Sequence, residues 1–233
     1  MTAKVFLATN NAKKLAELRR ILAEQGLDVE ILAMGDVEPY PEPAETEWTF
    51  EGNALIKARA GAAHTGLITV ADDSGVCIDA LGGMPGVRSA RWAGRGHDDL
   101  ANLELVLSQI DDVPKERRTA QFRAVVALVT PDGREFTFEG VMPGRICMRP
   151  RGLGGFGYDP IFVPDEQSLA ERGLELTTAQ MPSHMKDAIS HRGRALRAMI
   201  PTLAGVLKQA ASDEDDDDDD YFDDEPAWPG PGG

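Results

Sequence analysis

Apolar and polar positions change period several times along the chain, and each change marks an element. Val5-Phe6-Leu7-Ala8 is an unbroken apolar run, stopped by Thr9-Asn10-Asn11, after which Leu15, Leu18 and Leu22 recur at helical spacing. That sequence of patterns predicts a buried strand, a tight turn and an amphipathic helix. A second apolar stretch, residues 68–71, runs into Asp72-Asp73-Ser74-Gly75 and predicts a strand that closes in an acidic turn. Within 119–130, Val125, Val126, Leu128 and Val129 predict a long strand, and 134–141 answers it across Pro131-Asp132-Gly133, the pattern of a hairpin. Helices are predicted at 50–63, 98–110 and 191–211. Helices interleaved with crossover strands and a hairpin imply an α/β fold with a mixed sheet.

The patterning stops near Ser212. From Asp213 to Glu225 there are eleven acidic residues and no basic one, followed by a Pro/Gly-rich end. Like charges repel and little apolar surface offsets the entropy of ordering, so 212–233 is expected to be a disordered tail behind a single domain at 1–211. The tail also explains most of the formal charge of −15, since the body holds 28 acidic against 24 basic residues. No basic excess supports binding to nucleic acid through its phosphates, although a small phosphorylated ligand needs only a few local cations. Two cysteines, Cys77 and Cys147, cannot build a disulfide framework or a structural zinc site. No apolar run approaches the roughly 18 residues of a membrane span, and the N-terminus lacks a signal-peptide core. A cytoplasmic protein with reduced thiols and no membrane partner is the expectation.

Four segments carry candidate chemistry. Thr9-Asn10-Asn11-Ala12-Lys13-Lys14 joins strand to helix, where backbone N–H groups attract anions. Lys14 stands against the helix dipole there, a placement suited to a bound anion; an Asn-capped helix with solvated lysines is the plain alternative. Asp72 and Asp73 are adjacent carboxylates after a buried strand, costly unless paired or metal-bound. Such oxygen donors suit Mg²⁺, which takes one or two carboxylates plus substrate phosphates; an acidic cap is the alternative. Gly152-x-Gly154-x-x-Gly157 has the spacing of a dinucleotide loop, but Pro160 and Ile161-Phe162-Val163 follow it rather than a helix. A glycine-rich loop presenting Phe156 and Tyr158 suits close approach to a ligand and stacking on a base, or else a β-turn with core aromatics. Lys186, His191 and Arg192 gather donors before a helix that Ser190 would cap, suited to a phosphate or a purine edge. A fifth segment, 45–58, mixes acids, an amide and a lysine at a helix start. There is no G-x-x-x-x-G-K-[ST], H-E-x-x-H or G-x-S-x-G motif.

In this order, T-N-N-A-K-K at 9–14, T-F-E-G-N-A-L-I-K-A-R at 49–59, A-D-D-S-G at 71–75, L-G-G-M-P-G-V-R-S-A-R at 81–91, G-G-F-G-Y-D-P-I-F at 154–162 and K-D-A-I-S-H-R-G at 186–193 resemble the inosine triphosphate pyrophosphatase (Ham1-like) family. The resemblance covers about 4–207 and leaves the tail outside. It implies an elongated mixed β-sheet flanked by helices, with two lobes around a nucleotide cleft. It also implies Mg²⁺-dependent hydrolysis of ITP, dITP and XTP to the monophosphate and pyrophosphate, by a homodimer. Matched position by position, Asp73 is the proton acceptor and a metal carboxylate. Thr9, Asn10, Asn11, Ala12, Lys13 and Lys14 form the phosphate turn, and Ser74 contacts substrate. Phe156, Gly157, Tyr158, Asp159, Lys186, His191 and Arg192 bind the nucleotide. Two positions depart from the family pattern: Asn10, where Gly is frequent, and Gly52, where Glu is frequent. The second metal ligand is therefore assigned to Glu45, with Glu38, Glu42 and Glu51 open. A Maf-type pyrophosphatase and a nucleotide sensor without turnover are the alternative functions.

Overall fold

The computed structural model describes residues 3–167 and 175–217. The chain divides into two compact units, Met1–Ile200 and Pro201–Gly233, and every candidate residue lies in the first. Its strands are β1 (Ala3–Leu7), β2 (Val29–Leu32), β3 (Ile68–Ile78), β4 (Thr119–Val129), β5 (Glu135–Ile146) and β6 (Phe162–Pro164). The α-helices among the described residues are α1 (Ala12–Glu24), α2 (Phe50–Thr65), α3 (Asp99–Gln109), α4 (Ser183–Ile189) and α5 (His191–Asp217). The strands form one sheet in the order β2-β1-β3-β4-β5-β6. β1 pairs in parallel with β2 and β3, and every later pairing is antiparallel. This is the α/β fold with a mixed sheet that the patterning predicts. α5 continues past Ser212 to Asp217, and the remainder of the predicted tail, 218–233, lies outside the described residues.

Two apolar clusters clamp the sheet. In one, Ala54, Ala58 and Ala62 of α2 meet Phe6, Ala71, Val125 and Ala127; the four-residue spacing of small side chains lets the helix lie close to the strands. In the other, Leu103 and Val106 of α3 pack with Val76, Phe122, Met142 and Phe162. Each fully buried side chain of this size contributes about 1.5–3 kcal/mol.

One predicted element is corrected. The strand expected to close at Ala71 runs on to Ile78, paired in register with β4 from Thr69↔Val129 to Ile78↔Ala120. Asp72, Asp73 and Ser74 are therefore strand residues, not a turn. Gly75 is there for close approach: a Cβ would lie 2.4 Å from the Gly86 carbonyl oxygen and 2.4 Å from Ser89 Oγ. Its absence lets the 3₁₀ segment Gly86–Arg91 lie directly against β3. Because successive strand residues face opposite sides, Asp72 and Asp73 are not a pair aimed at one ion.

Candidate active site

A cavity of about 280 Å³ gathers Lys14, Glu45, Asp73, Ser74, Phe156, Gly157, Tyr158, Asp159, Lys186, His191 and Arg192 from the candidate set. Residues 9–13 do not line it. Three larger hollows, of about 730, 570 and 520 Å³, hold none of the assigned residues, although Glu51, one of the carboxylates left open, lines the last of them.

The first turn satisfies its own donors. Asn11 Oδ1 accepts from the backbone N–H groups of Lys13 and Lys14, at 2.9 and 3.4 Å, and Thr9 Oγ1 accepts from Asn11 N–H at 3.2 Å. The Asn-capped helix foreseen as the plain alternative is thus present, with one addition. Lys14 turns inward, 2.8 Å from Asp72 Oδ1. Arg192 Nε donates to the other oxygen of Asp72 at 3.0 Å, its Nη2 to Ser74 Oγ at 3.1 Å, and its Nη1 lies 3.6 Å from Glu17. Burial pushes the Asp72 carboxyl up, but Lys14, Arg192 and Lys57 outweigh it and hold it well below the usual carboxylate range. Burial pushes Lys14 down, and Asp72 opposes this only in part. Nε and Nη2 of Arg192 already have acceptors and Nη1 stands at ion-pair distance from Glu17, so a contact with a base would use the remaining hydrogens of the terminal nitrogens.

Asp73 belongs to a different group. Asn53 Nδ2 donates to its Oδ2 at 3.0 Å, Ser74 N–H to its Oδ1 at 2.9 Å, and Lys57 Nζ lies 4.0 Å from Oδ1. Lys57 also donates to Glu45 Oε1 at 2.9 Å, so one ammonium stands between the two carboxylates assigned to a metal. Burial pushes the Asp73 carboxyl up, Lys57 opposes this, and Glu45 adds to it; the result is a raised pKa. Glu45 goes the other way: burial pushes it up, but Lys57 and Arg91 outweigh burial. The three carboxylates left open do not line this cavity. Glu51, for one, accepts from Thr137 Oγ1. A side chain at position 52 would require exposed Glu47 to shift, because a Cβ there would lie 2.6 Å from the Glu47 side chain.

The glycine-rich loop is organised by a buried carboxylate. Asp159 accepts from Phe156 N–H, Thr178 Oγ1 and Lys186 Nζ. Asp99 accepts from Gly157 N–H at 2.8 Å. Phe156 is 48% exposed, with Lys13 and Lys186 ammonium groups 5.3 and 5.0 Å from its ring centroid. Tyr158 differs from the expectation of a presented ring. It is buried in the α3-side core, and its hydroxyl donates to the Ser89 carbonyl at 2.8 Å, so it anchors the loop. As predicted, no helix of the α type follows this loop; a 3₁₀ turn at Asp159–Ile161 leads into β6.

Ser190 caps α5 as expected, its Oγ accepting from Gly193 N–H at 2.9 Å. His191, the first residue of α5, is buried and stacks on Phe122 at 5.0 Å with an interplanar angle of 12°. Burial, with Arg192 and Lys186 adding, pushes its pKa well below the ordinary value, so the ring is neutral. Its Nδ1 is buried and has no hydrogen-bond partner among the described residues.

Asn53, Lys57, Arg91, Asp99 and Glu17 are site residues that sequence reasoning did not assign. For Asn53 and Lys57 a signal existed: they lie four apart and so share one face of α2. Arg91 closes the 81–91 block of the resemblance but was given no role there. Glu17 and Asp99 gave no signal, because their partners are 58 or more positions away in the chain.

The Ham1 family profile matches residues 5–202. A dITP/XTP pyrophosphatase of Corynebacterium efficiens is 58% identical over 207 residues, covering 88% of this chain and all of that protein. One from Nocardia farcinica is 56% identical, covering 88% and 96%. The crystal structure of a nucleoside-triphosphatase / dITP/XTP pyrophosphatase from Mycobacterium abscessus superposes with a TM-score of 0.71 at 53% identity, over 86% of this chain and 99% of that one. A HAM1 protein from Coxiella burnetii gives 0.76 at 37% identity, over 89% and 100%. With the motif residues gathered around one cavity and relatives of this identity aligned along nearly their whole length, the chain belongs to the Ham1 family.

Proposed function

We propose that this protein hydrolyses ITP, dITP and XTP to the monophosphate and pyrophosphate, in the cytoplasm and as a homodimer. The observation that carries the reading is Asp73: a carboxylate with a raised pKa, oriented by Asn53, beside the Lys57–Glu45 pair in a cavity that also holds Phe156 and His191. In the reaction, water oxygen bonds to the α-phosphorus, the bond to the α–β bridging oxygen breaks, and pyrophosphate leaves with that electron pair. Asp73 accepts the water proton. An ordinary aspartate is a weak base near neutrality, and the desolvation that raises the Asp73 pKa makes it a stronger one. Lys14 and Lys57 face the phosphate chain and offset its charge.

The donor set fits Mg²⁺. Asp73 and Glu45 are hard oxygen donors already flanking one cation; among the described residues no group of three or more His, Cys, Asp or Glu side chains is placed to hold a metal ion, so the remaining oxygens would come from substrate phosphates and water. Asp73 and Glu45 would hold the ion, which supplies a Lewis acid for the phosphate oxygens when bound. Among the described residues no helix is long and apolar enough to cross a membrane.

Pyrophosphate release from ITP, XTP, ATP and GTP, with and without Mg²⁺, tests the proposal. Turnover of ITP and XTP well above ATP supports it; no turnover, or equal turnover of all four, overturns it. Without Mg²⁺, the Asp73 carboxyl is expected to titrate above the ordinary aspartate value of about 3.9, taking up its proton as pH falls. An NMR titration of the metal-free protein that finds Asp73 still ionised below about pH 4 would contradict it.

Selection of the base is assigned to His191 before Arg192, since Nε and Nη2 of Arg192 are engaged and buried His191 Nδ1 is not. His191→Phe keeps a flat ring against Phe122 and removes both nitrogens. A lost hydrogen bond to a buried partner costs about 1–3 kcal/mol, so KM for ITP is expected to rise roughly 10- to 100-fold while ATP turnover changes little. Equal loss for both nucleotides would leave His191 with a packing role only.

A further inference from the structure

We propose that Arg91 is a further phosphate-binding residue of this site, one that holds the pyrophosphate portion of the triphosphate and stabilises it as it leaves. The inference rests on reading the cavity as a nucleoside triphosphate site. Arg91 ends the 3₁₀ segment Gly86–Arg91 and lines the cavity. Its Nη1 lies 3.2 Å from Glu45 Oε2, while Lys57 Nζ lies 2.9 Å from Glu45 Oε1. One carboxylate therefore serves two cations. The remaining cations of the cavity are held elsewhere, Lys14 and Arg192 on Asp72 and Lys186 on Asp159. Lys57 stands between Glu45 and Asp73; Arg91 is on the other oxygen of Glu45, one carboxylate further from the base that takes the water proton. With a purine on Phe156 and His191 and its α-phosphate at Asp73, that position falls to the phosphates beyond the cleaved bond.

The mounting of Arg91 is more elaborate than a surface ion pair needs. Ser89 Oγ accepts from Val76 N–H and donates to the Gly86 carbonyl, and Tyr158 donates to the Ser89 carbonyl. On the other flank, buried Asn102 donates to the Ala90 carbonyl and accepts from Ala93 N–H. Buried polar side chains thus fix the backbone immediately before and after Arg91, while its side chain stays 29% exposed against 10% for Lys57. A planar guanidinium on a rigid mount, holding half of a shared carboxylate, suits two-point contact with phosphate oxygens. When the α–β bond breaks, the bridging oxygen leaves on pyrophosphate with the electron pair, and Arg91 faces the charge that develops there.

Arg91→Gln and Arg91→Lys test this through inhibition of ITP hydrolysis by pyrophosphate and by IMP, and through calorimetric binding of pyrophosphate without metal. Arg91→Gln is expected to weaken pyrophosphate roughly 10- to 100-fold, the range for a charge-assisted hydrogen bond, and to leave IMP within about twofold. Arg91→Lys should recover part of the loss, since charge is kept and the fork is not. Unchanged pyrophosphate affinity overturns the proposal. So does an equal loss for IMP, or a fall in Tm with the ratio of the two inhibitors unaltered, which is the mark of a structural ion pair with Glu45. A wild-type protein that neither turns over ITP nor binds pyrophosphate would instead remove the triphosphate reading itself.

Discussion

Asp73→Asn is expected to lower kcat for ITP by roughly 10²–10⁴-fold, the range for losing a general base, with Tm within a few degrees of the parent. Asparagine has the same shape and can still accept from Asn53 Nδ2, the contact that orients the side chain. Lys57 keeps its 2.9 Å partner Glu45. The carboxylate itself is a cost to the fold at neutral pH. Burial raises its folded pKa, so its contribution to stability is full below the unfolded pKa and is lost as pH rises through the folded value. With its single oxygen on Asn53, the amide turns its NH₂ toward Ser74 N–H, which loses its acceptor; removal of the buried charge offsets that cost. Steady-state kinetics with ITP and a thermal melt of the same sample decide the matter. Near-normal kcat would take Asp73 out of the chemistry, and a collapse of Tm would make the lost activity uninformative about mechanism.

Elements with clear boundary residues were legible from sequence. β4, α2 and α3 fall within two residues of their predicted limits; Thr49 and Asp98 cap the starts of the two helices, and Pro131-Asp132-Gly133 follows the strand. β3 was truncated for a physical reason. Its polar middle, Asp72-Asp73-Ser74-Gly75, carries the composition of a turn, and only partners at positions 14, 53 and 192 make it tolerable inside a sheet. None of those partners is local, so no window along the chain could reveal them. Tyr158 illustrates the same limit. Two aromatics one residue apart in a glycine-rich loop read alike, yet the acceptor at Ser89 draws Tyr158 into the core while Phe156 stays at the cavity. Lys14 was legible as a cation placed against a helix dipole. Its partner is the buried Asp72 rather than a solvent-facing anion, and that required the sheet.

Asp72→Asn should do the opposite of its neighbour's substitution, costing stability far more than it alters the base. Asp72 is buried, with Lys14 Nζ on one oxygen at 2.8 Å and Arg192 Nε on the other at 3.0 Å. An amide cannot accept on both sides, so at least one cation faces an N–H₂ group and both lose the compensating charge. Breaking a buried ion pair by removing one partner typically costs about 3–5 kcal/mol. At about 2–4 °C per kcal/mol for a chain of this size, Tm should drop by roughly 10 °C or more at pH 7. The pH dependence carries the sharper test. The cations hold the folded pKa of Asp72 far below that of the unfolded chain, so its stabilisation is present above the unfolded value of about 3.9 and fades as pH falls toward the folded value. The stability gap between parent and variant, measured by urea unfolding, should therefore be widest near neutrality and narrow steadily from about pH 5 downward. Burial already pushes the Lys14 pKa down; without Asp72 its proton is held less tightly still, and part of the loss should return on the alkaline side, as pH rises toward the unfolded lysine value of about 10.4 and Lys14 discharges. A gap that stays constant across that whole range would mean that Asp72 is held by shape rather than by Lys14 and Arg192. In that case the ion pairs that join α1 and α5 to β3 would not be what keeps the cavity's phosphate side in place.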